Sequence, residues 1–464
     1  MSLQQNASAA PDGDRDTTYS PNLPVPHARR VLSLRDSFAL WFSLGIGLLV
    51  LQAGALLVPG LSLPHALAAI LVGTVLGVVL LGGAGVIGSD TGLAAMASLG
   101  TTLGARGTSI AAVLNAIQLT GWGAFEIIVM RDSADALSKQ AFGWSMPVIW
   151  TLAFGALATL LAIAGPLSFV RKFLRSWGLW LLLAGALWLT WNLLSRYSFA
   201  ELWRRPGTGA MSFGAGVDLV IAMPLSWLPL IADYTRFGRR SSEVFRGTVF
   251  GYGIANLWFY ALGAAYGLAA GGGDTMLTTS LAAAGGGLAL LLVLIDEADN
   301  AFADVHSAAV STGTLFSRAT ITKLSLAFGV LSTLIALFVP MGRYQNFLFL
   351  IGSVFAPLFG VVLADHFIVR RRRTTLLRVA GADASAAGAT GPRVGSPTVG
   401  SFAQSWQIAA MLAWVVGIAV YQGFSNWLPD VGATLPALVI AGLCYLVFRR
   451  LPGMAGGTRF ARKS

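Results

Sequence analysis

Twelve long apolar runs, separated by short polar connections, constrain the fold of this chain more than any other feature. A helix needs about 20 mainly apolar residues to cross a bilayer, and the backbone polar groups of such a segment must be hydrogen-bonded within the protein. The runs cover residues 37–58, 66–87, 110–130, 147–163, 177–194, 213–231, 249–270, 283–310, 324–339, 347–369, 408–423 and 433–448. Because 55% of the residues are hydrophobic and only 11% are charged, the pattern predicts an all-α integral membrane protein with about 12 transmembrane helices. It argues against a soluble enzyme.

The basic residues lie in the connections between these runs. If the amino terminus is cytoplasmic, 25 of the 31 Lys and Arg fall in cytoplasmic segments and six fall on the opposite side. Cytoplasmic loops carry an excess of basic residues, so both termini are predicted to be cytoplasmic, in a multi-pass protein of the cell (inner) membrane. The net charge of +11 therefore reflects topology. The basic residues do not form the single basic face that predicts nucleic-acid binding.

Polar segments divide the chain into candidate domains. Residues 1–34 are predicted to form a disordered cytoplasmic tail, and residues 374–403, rich in Ala, Gly, Ser and Pro, a flexible linker. Residues 35–373 form a predicted ten-helix core. Residues 404–449 hold the predicted helices 11 and 12, and residues 450–464 form a second cytoplasmic tail.

The first helix of each half of this core carries helix-breaking residues near its middle. These are Gly45 and Gly47 in span one, and Pro224 and Pro229 in span six. In many transporters two inverted repeats each contain a helix broken at mid-membrane, where backbone groups meet substrate and ion. The breakers therefore predict a five-plus-five inverted-repeat core; the alternative is that Gly and Pro are simply tolerated in membrane helices. The predicted repeats cover about residues 35–200 and 211–373.

Span three carries a polar stripe. Asn115, Gln118, Trp122 and Glu126 are spaced by three, four and four residues, which places them on one helix face. Asn115 and Gln118 are typical of hydrogen bonds between membrane helices. Glu126 is predicted to bind a ligand or carry a proton, because a carboxylate beside an indole can accept two hydrogen bonds from the edge of a flat ring.

Span eight concentrates acidic residues inside an apolar run. The polar members are Asp296, Glu297, Asp299, Asn300, Asp304 and His306. Asp296, Asn300 and Asp304 are four apart and share a face, and carboxylates this close must be protonated, solvated or paired with a cation. This pattern predicts a functional site. The alternative is that the helix ends near Leu294 and the acids lie in a solvated loop, and whether His306 has a role stays open.

Enzyme motifs give little support to catalysis. The chain has no P-loop, no His-Glu-x-x-His and no Cys-x-x-Cys. A membrane-embedded enzyme that uses the acids of span eight is the alternative class. A channel is disfavoured, because acids on one helix do not make the ring of a selectivity filter. No cofactor and no obligate protein partner is predicted.

Four sequence elements follow one another along the core. They are WFSLGIGLLVLQAGALLVP at 41–59, a Gly-Trp pair at 121–122 with Glu126 four residues beyond, DYTRF at 233–237, and Asp-Asn-Ala at 299–301. In this order they resemble the nucleobase:cation symporter-1 family, the purine and cytosine permeases. Residues 220–237 look most like the CytX branch, whose members are assigned as hydroxymethylpyrimidine transporters. The resemblance covers about residues 34–373.

The resemblance implies a LeuT-like core with broken helices 1 and 6, and cation-driven uptake of a flat heterocycle. Trp122 falls where family members stack the substrate ring, and Glu126 falls where a polar side chain binds its edge. Pro224 stands at a position where some family members have a stacking tryptophan. Trp227, one turn later, is expected to substitute for it. Further substrate contacts are expected at Gln118, Gly45, Gly47 and Asn300.

The family's sodium site is the point at which this sequence departs. That site uses span-one backbone, here around residues 44–47, with hydroxyl residues of span eight. Asp296 and Glu297 stand at the hydroxyl positions. The coupling ion is therefore either sodium, bound at Leu44, Asp296 and Glu297, or a proton. The residues predicted to couple a cation are Asp296, Glu297, Leu44, Asp299 and Asp304.

The resulting hypothesis is a secondary active transporter that imports a pyrimidine-type nucleobase or a thiamine precursor, such as hydroxymethylpyrimidine or cytosine, with sodium or a proton. The alternatives are a symporter for another small heterocycle, such as a purine or hydantoin, and the membrane-embedded enzyme.

Overall fold

The computed structural model describes residues 24–164, 179–269, 287–313, 319–370 and 406–452, together with Gly271 and Met454. Within these residues the chain is all-helical apart from a single β-bridge between Leu32 and Gly238. The predicted linker 374–403 and most of both predicted tails lie outside the described residues.

Span one is broken as the glycines predict. Helix α1 (Leu34–Leu44) begins at a capping box formed by Ser33 and Asp36, and helix α2 (Leu48–Ala55) follows after three residues. The two helices are bent by 58°. Capping satisfies the free N–H groups at the start of α1, whereas the break exposes the main chain of residues 45–47 at mid-span.

Spans two to four form long helices. They are α3 (Leu63–Thr91), α4 (Ala95–Phe142) and α5 (Pro147–Ala164). Helix α4 is much longer than the predicted run 110–130 and is interrupted at Gly104, which has a φ of 75°. This left-handed conformation favours glycine, so Gly104 separates a short first segment from the part of α4 that carries the polar stripe.

Span six is the second broken helix. After α6 (Leu179–Arg196) and α7 (Phe199–Arg204), the chain forms α8 (Phe213–Ser226) and α9 (Ile231–Thr235). The break at residues 227–230 contains Pro229 and comes shortly after Pro224. Proline removes a backbone donor and obstructs the preceding turn, which explains why the helix stops here.

The remaining helices complete the bundle. They are α10 (Ser241–Ala269), α11 (Gly287–Gly313), α12 (Ile321–Phe338), α13 (Tyr344–Leu363), α14 (Ile408–Trp427) and α15 (Thr434–Phe448), with a π-helical segment, Ala364–Arg370, after α13. Helix α11 continues through all the acidic residues of span eight. The alternative in which this helix ends near Leu294 is therefore wrong.

Each of the twelve predicted runs overlaps at least one of these helices. Among the described residues, six helices are long and apolar enough to cross a membrane, or seven if the bent pair α1 and α2 counts as one span. Large apolar side chains such as Leu160 (65% exposed) and Phe338 (81% exposed) lie on the outside, where a bilayer would cover them. Twelve crossings stay a prediction.

Two groups of helices pack around the middle of the molecule. One contains α1, α2, α3, α8 and α10, and the other contains α4, α5, α11 and α12. In the first group, a Cβ on Gly263 would lie 1.9 Å from the carbonyl oxygen of Leu51, and a Cβ on Gly54 would lie 2.2 Å from that of Tyr260. Only glycine allows this approach, so α2 is held directly against α10.

The end of the predicted tail is ordered, which differs from the sequence-based expectation. Val25 is 1% exposed and its N–H donates to the carbonyl oxygen of Gly92 at 2.9 Å. The N–H of Leu32 donates to the carbonyl oxygen of Phe237 at 2.9 Å. Residues 24–33 therefore connect the end of α3 to the end of span six. Their partners are main-chain groups far away in the sequence, which polar composition does not reveal.

Candidate functional site

A cavity lies at the two helix breaks, between the two helix groups; the empty space among its lining residues, including the part open to solvent, is about 530 Å³. The predicted residues that line it are Leu44, Gly47, Gln118, Trp122, Glu126, Trp227, Glu297, Asn300 and Asp304. The structure thus brings together the polar stripe of span three, the break of span one, the break of span six and the acidic face of span eight.

Trp122 is held by other aromatic side chains. Its ring meets Tyr344 edge to face, with centroids 5.9 Å apart, and Phe347 in the same manner at 5.3 Å. Edge-to-face pairs are a favourable geometry for aromatic rings. The indole is 7% exposed and lines the cavity, so it offers a ring of fixed orientation to a bound flat molecule.

Gln118 and Asn115 connect α4 to neighbouring helices. The amide Nε2 of Gln118 donates to the carbonyl oxygen of Ser226 at 2.7 Å, and the amide of Asn115 donates to Ser311 Oγ at 3.4 Å. The predicted interhelical hydrogen bonds are therefore present. Because Ser226 is the last residue of α8, Gln118 satisfies a carbonyl that the break leaves outside the helical pattern.

Trp227 is the first residue of the break in span six. Its ring meets Trp41 of α1 edge to face at 5.9 Å, so the two broken spans contact each other through aromatic rings beside the cavity. Trp227 therefore lies at the cavity, and its role as a substitute for a stacking residue at position 224 stays a prediction.

Glu297 connects three elements of the site. It is 1% exposed, and the N–H of Leu48 at the start of α2 donates to its Oε1. The Glu297 carboxyl group also lies close enough to Glu126 of α4, to the side chain of Asn300 and to the N–H of Leu49 to interact with each of them. A Cβ on Gly47 would lie 3.2 Å from Glu297 Oε1. Glycine at this position therefore leaves room for the carboxyl group against the break.

The face of α11 that lines the cavity includes two of the three residues of the predicted face. Glu297, Asn300 and Asp304 line the cavity, with helical spacings of three and four. Glu297 was among the residues predicted to couple a cation. The side chains of Asp296 and Asp299 lie outside the described residues, so their predicted coupling roles stay predictions.

Two other residues from the sequence analysis lie away from the cavity. Gly45 packs against α10, where its Cβ would be 2.7 Å from Ala255 Cβ; its role is close packing. His306 stacks on Phe302 and has its Nδ1 3.4 Å from the carbonyl oxygen of Ala162, so it links α11 to α5.

Tyr344 is a site residue that the sequence did not reveal. Its hydroxyl donates to the carbonyl oxygen of Leu49 at 3.2 Å, and its ring contacts Trp122. It therefore ties α13 both to the second half of span one and to the candidate stacking residue. A single tyrosine after a loop arginine gives no sequence signal of this kind.

Comparison with known proteins agrees with this geometry. Residues 24–446 match the family described as "Permease for cytosine/purines, uracil, thiamine, allantoin". The chain belongs to this family. A hydantoin permease of Microbacterium maritypicum is 21% identical over 380 residues, which are 76% of this chain and 77% of that protein.

Solved structures show the same fold. The inward-facing conformation of Mhp1 superimposes with a TM-score of 0.75 at 18% identity, covering 94% of both chains. Mhp1, a nucleobase-cation-symport-1 family transporter, in a closed conformation with bromovinylhydantoin bound, gives a TM-score of 0.74 at 20% identity, covering 94% of this chain and 96% of that one. A Na⁺-coupled sialic acid symporter gives a TM-score of 0.58 at 11% identity, over 91% and 89% of the two chains.

These relationships confirm the predicted nucleobase:cation symporter-1 family and the LeuT-like fold class. This permease-family protein is a multi-pass membrane protein, and its relatives are transporters, not enzymes. The alternative of a membrane-embedded enzyme is therefore set aside.

Proposed function

We propose that this permease imports a pyrimidine-type nucleobase or a thiamine precursor, such as hydroxymethylpyrimidine or cytosine, by cation symport and alternating access. The observation that carries the proposal is the cavity at the two helix breaks, lined by the indoles of Trp122 and Trp227 and by the carboxyl group of Glu126. Cavities at broken helices are where transporters of this architecture hold their substrates.

The chemistry of the lining supports a flat ring with hydrogen-bond donors on its edge. Indoles bind flat rings by stacking. Glu126 and Gln118 supply acceptors, and none of the described residues that line the cavity is Lys or Arg. An amino group beside a ring N–H suits a carboxylate, because a carboxylate accepts two parallel hydrogen bonds.

A hydantoin or a purine is the second candidate substrate. The hydantoin permease relative and the Mhp1 complex favour it. Hydantoin offers ring N–H donors between carbonyl acceptors, however, and a carboxylate repels acceptors. We therefore expect an amino-bearing ring to bind more tightly than a ring that carries only carbonyl groups.

Thermal stabilisation of the purified protein by a ligand panel tests this proposal. The panel contains hydroxymethylpyrimidine, cytosine, uracil, adenine, hydantoin and thiamine. A ligand at about 100 times its Kd raises the free energy of unfolding by about 2.7 kcal/mol, so an aminopyrimidine is expected to raise the Tm most. Stabilisation by hydantoin alone would favour the second candidate, and no stabilisation by any member would contradict the proposed substrate class.

We also propose that the protein lies in the inner membrane with both termini in the cytoplasm. Asp430 lies next to Gly214 at the start of α8, and Arg240 follows α9 at the opposite end of broken span six. In a Cys444→Ala background, Asp430→Cys is expected to react with an impermeant thiol reagent added to intact cells, whereas Arg240→Cys is not. The reverse labelling pattern would invert the orientation.

A further inference from the structure

The contact between Glu126 and Glu297 joins two acidic side chains in the interior of the protein. Glu126 is 6% exposed and Glu297 is 1% exposed; both line the same cavity, and their carboxyl groups lie close enough to interact directly. They come from α4 and α11, two helices that pack closely against each other. Their contact lies at the wall of the substrate cavity and at the first turn of α2.

Two buried carboxyl groups that face each other need a proton or a cation between them. Ionised carboxylates are acceptors only, and two of them at one poorly solvated site do not both ionise. The contact therefore favours a singly protonated pair, in which one carboxyl group donates to the other.

The same geometry does not fit the sodium ion that the family implies. The first turn of α2 presents the N–H groups of Leu48 and Leu49 to Glu297. N–H groups at the start of a helix attract anions and repel cations. The N–H groups of Leu48 and Leu49 therefore suit the carboxyl group of Glu297 and disfavour a Na⁺ ion at the same place.

We propose that Glu126 and Glu297 share the coupling proton, so that this transporter is driven by H⁺ and does not require Na⁺. The proposal rests on the function proposed above, since it names the coupling ion of that same site. It moves the coupling role from the predicted Asp296 and Glu297 to a pair that spans two helices and contacts the broken span one.

Other titratable side chains surround the pair. Asp304 on α11 interacts electrostatically with Glu297. Tyr344 on α13 interacts with both glutamates, and Tyr252 and Tyr260 on α10 interact with Tyr344. Helix α2 contributes no ionisable side chain. The described surroundings therefore offer the pair no cation that would replace the proton.

The pair links proton binding to the conformation of the site. The proton enters from the external solution and leaves to the cytoplasm; with it the pair has a charge of −1, and without it the pair has −2. The added repulsion between α4 and α11 breaks the contact at the substrate cavity. The singly protonated state leaves Glu126 with acceptor sites for the substrate, so the proton and the substrate bind cooperatively. Reciprocity then requires each to tighten the binding of the other by the same factor.

Infrared spectroscopy of the ligand-free protein tests the pair directly. The C=O stretch of a protonated buried carboxyl group is expected in the parent protein and is lost on alkaline titration. Glu297→Gln and Glu126→Gln are each expected to remove the same component of this absorption, while the contributions of other buried carboxyl groups remain. Asp304→Asn is the discriminating variant: it replaces a third carboxyl group of the same cavity and leaves the pair, so the component that both glutamine variants remove persists. If the two glutamine variants remove no common component, the proposal is overturned.

Substrate titrations then test the linkage. The probe is the ligand that stabilises the protein most in the panel above, titrated at several pH values in choline chloride and in sodium chloride. Above the apparent pKa of the pair, affinity is expected to fall about tenfold per pH unit and to be the same in both salts. In Glu297→Gln, which cannot be deprotonated at this position, affinity is expected to be nearly independent of pH. Affinity that rises with sodium at constant pH overturns the proposal.

The two experiments separate this inference from the proposed function. If no panel ligand binds but the infrared band depends on both glutamates, the proposed substrate class fails and the proton pair stands. If ligands bind and the affinity ignores pH, the transporter stands and the proton pair fails.

Discussion

Replacing Glu126 by glutamine is expected to weaken substrate binding more than about tenfold, which corresponds to roughly 1.4 kcal/mol or more. Glu126→Gln keeps the size of the side chain but exchanges one acceptor oxygen for an N–H donor. The donor would face the amino or ring N–H edge of an aminopyrimidine, so one hydrogen bond is lost and two donors oppose each other. Ligand titration of the purified variant, followed by intrinsic fluorescence, measures the change in Kd.

Asp135→Asn provides the matched control for this variant. Asp135 is on the same helix, but its carboxylate accepts from Ser145 Oγ and from the N–H of Met146, away from the cavity. Parent-like affinity is expected in the control. Parent-like affinity in Glu126→Gln as well would show that Glu126 has a structural role and does not contact the substrate.

Replacing Trp122 by alanine is expected to weaken the free energy of substrate binding by about 1 to 3 kcal/mol, which raises the Kd roughly 5- to 150-fold. This range is the loss seen when a nucleic-acid base loses its stacking on an aromatic side chain. The variant removes the indole that lines the cavity and leaves Tyr344 and Phe347 without their edge-to-face partner. Isothermal titration with the best panel ligand measures the loss.

Trp258→Ala controls for the general effect of removing a large aromatic residue from the helix bundle. Trp258 lies on α10, where its indole N–H donates to Thr190 Oγ1 at 2.9 Å, and it does not line the cavity. We expect Trp258→Ala to retain the parent Kd even if its Tm falls. Equal losses of affinity in both variants would point to a disturbed bundle and would argue against stacking by Trp122.

The agreement between sequence and structure is best where the signal is local. Gln118, Trp122 and Glu126 are four residues apart, and they line one cavity because side chains at this spacing share a helix face. Gly45 and Gly47 lie in the break of span one, and Pro229 lies in the break of span six shortly after Pro224, since both residue types act on the backbone next to them.

The sequence was less informative wherever a contact depends on how helices pack. Helical spacing predicted a functional face of span eight with Asp296, Asn300 and Asp304. It did not include Glu297, which the family resemblance added and which lines the cavity beside Asn300 and Asp304. Adjacent residues on a helix differ by about 100° in direction. A spacing pattern therefore defines the direction of a helix face only to within about 100°. The packing of the neighbouring helices determines which residue points inward.

The sequence by itself determined the all-helical membrane class, the family, the two broken spans and most of the residues that line the cavity. These properties follow from hydrophobic length, helical periodicity and local backbone breakers. Only the tertiary structure decided that Glu126 meets Glu297, that Glu297 lies at the N–H groups of α2, and that Tyr344 joins Trp122 to Leu49. Such contacts join residues that are far apart in the chain, and close helix packing, including that of Gly263 against Leu51, determines which side chains come within hydrogen-bond distance.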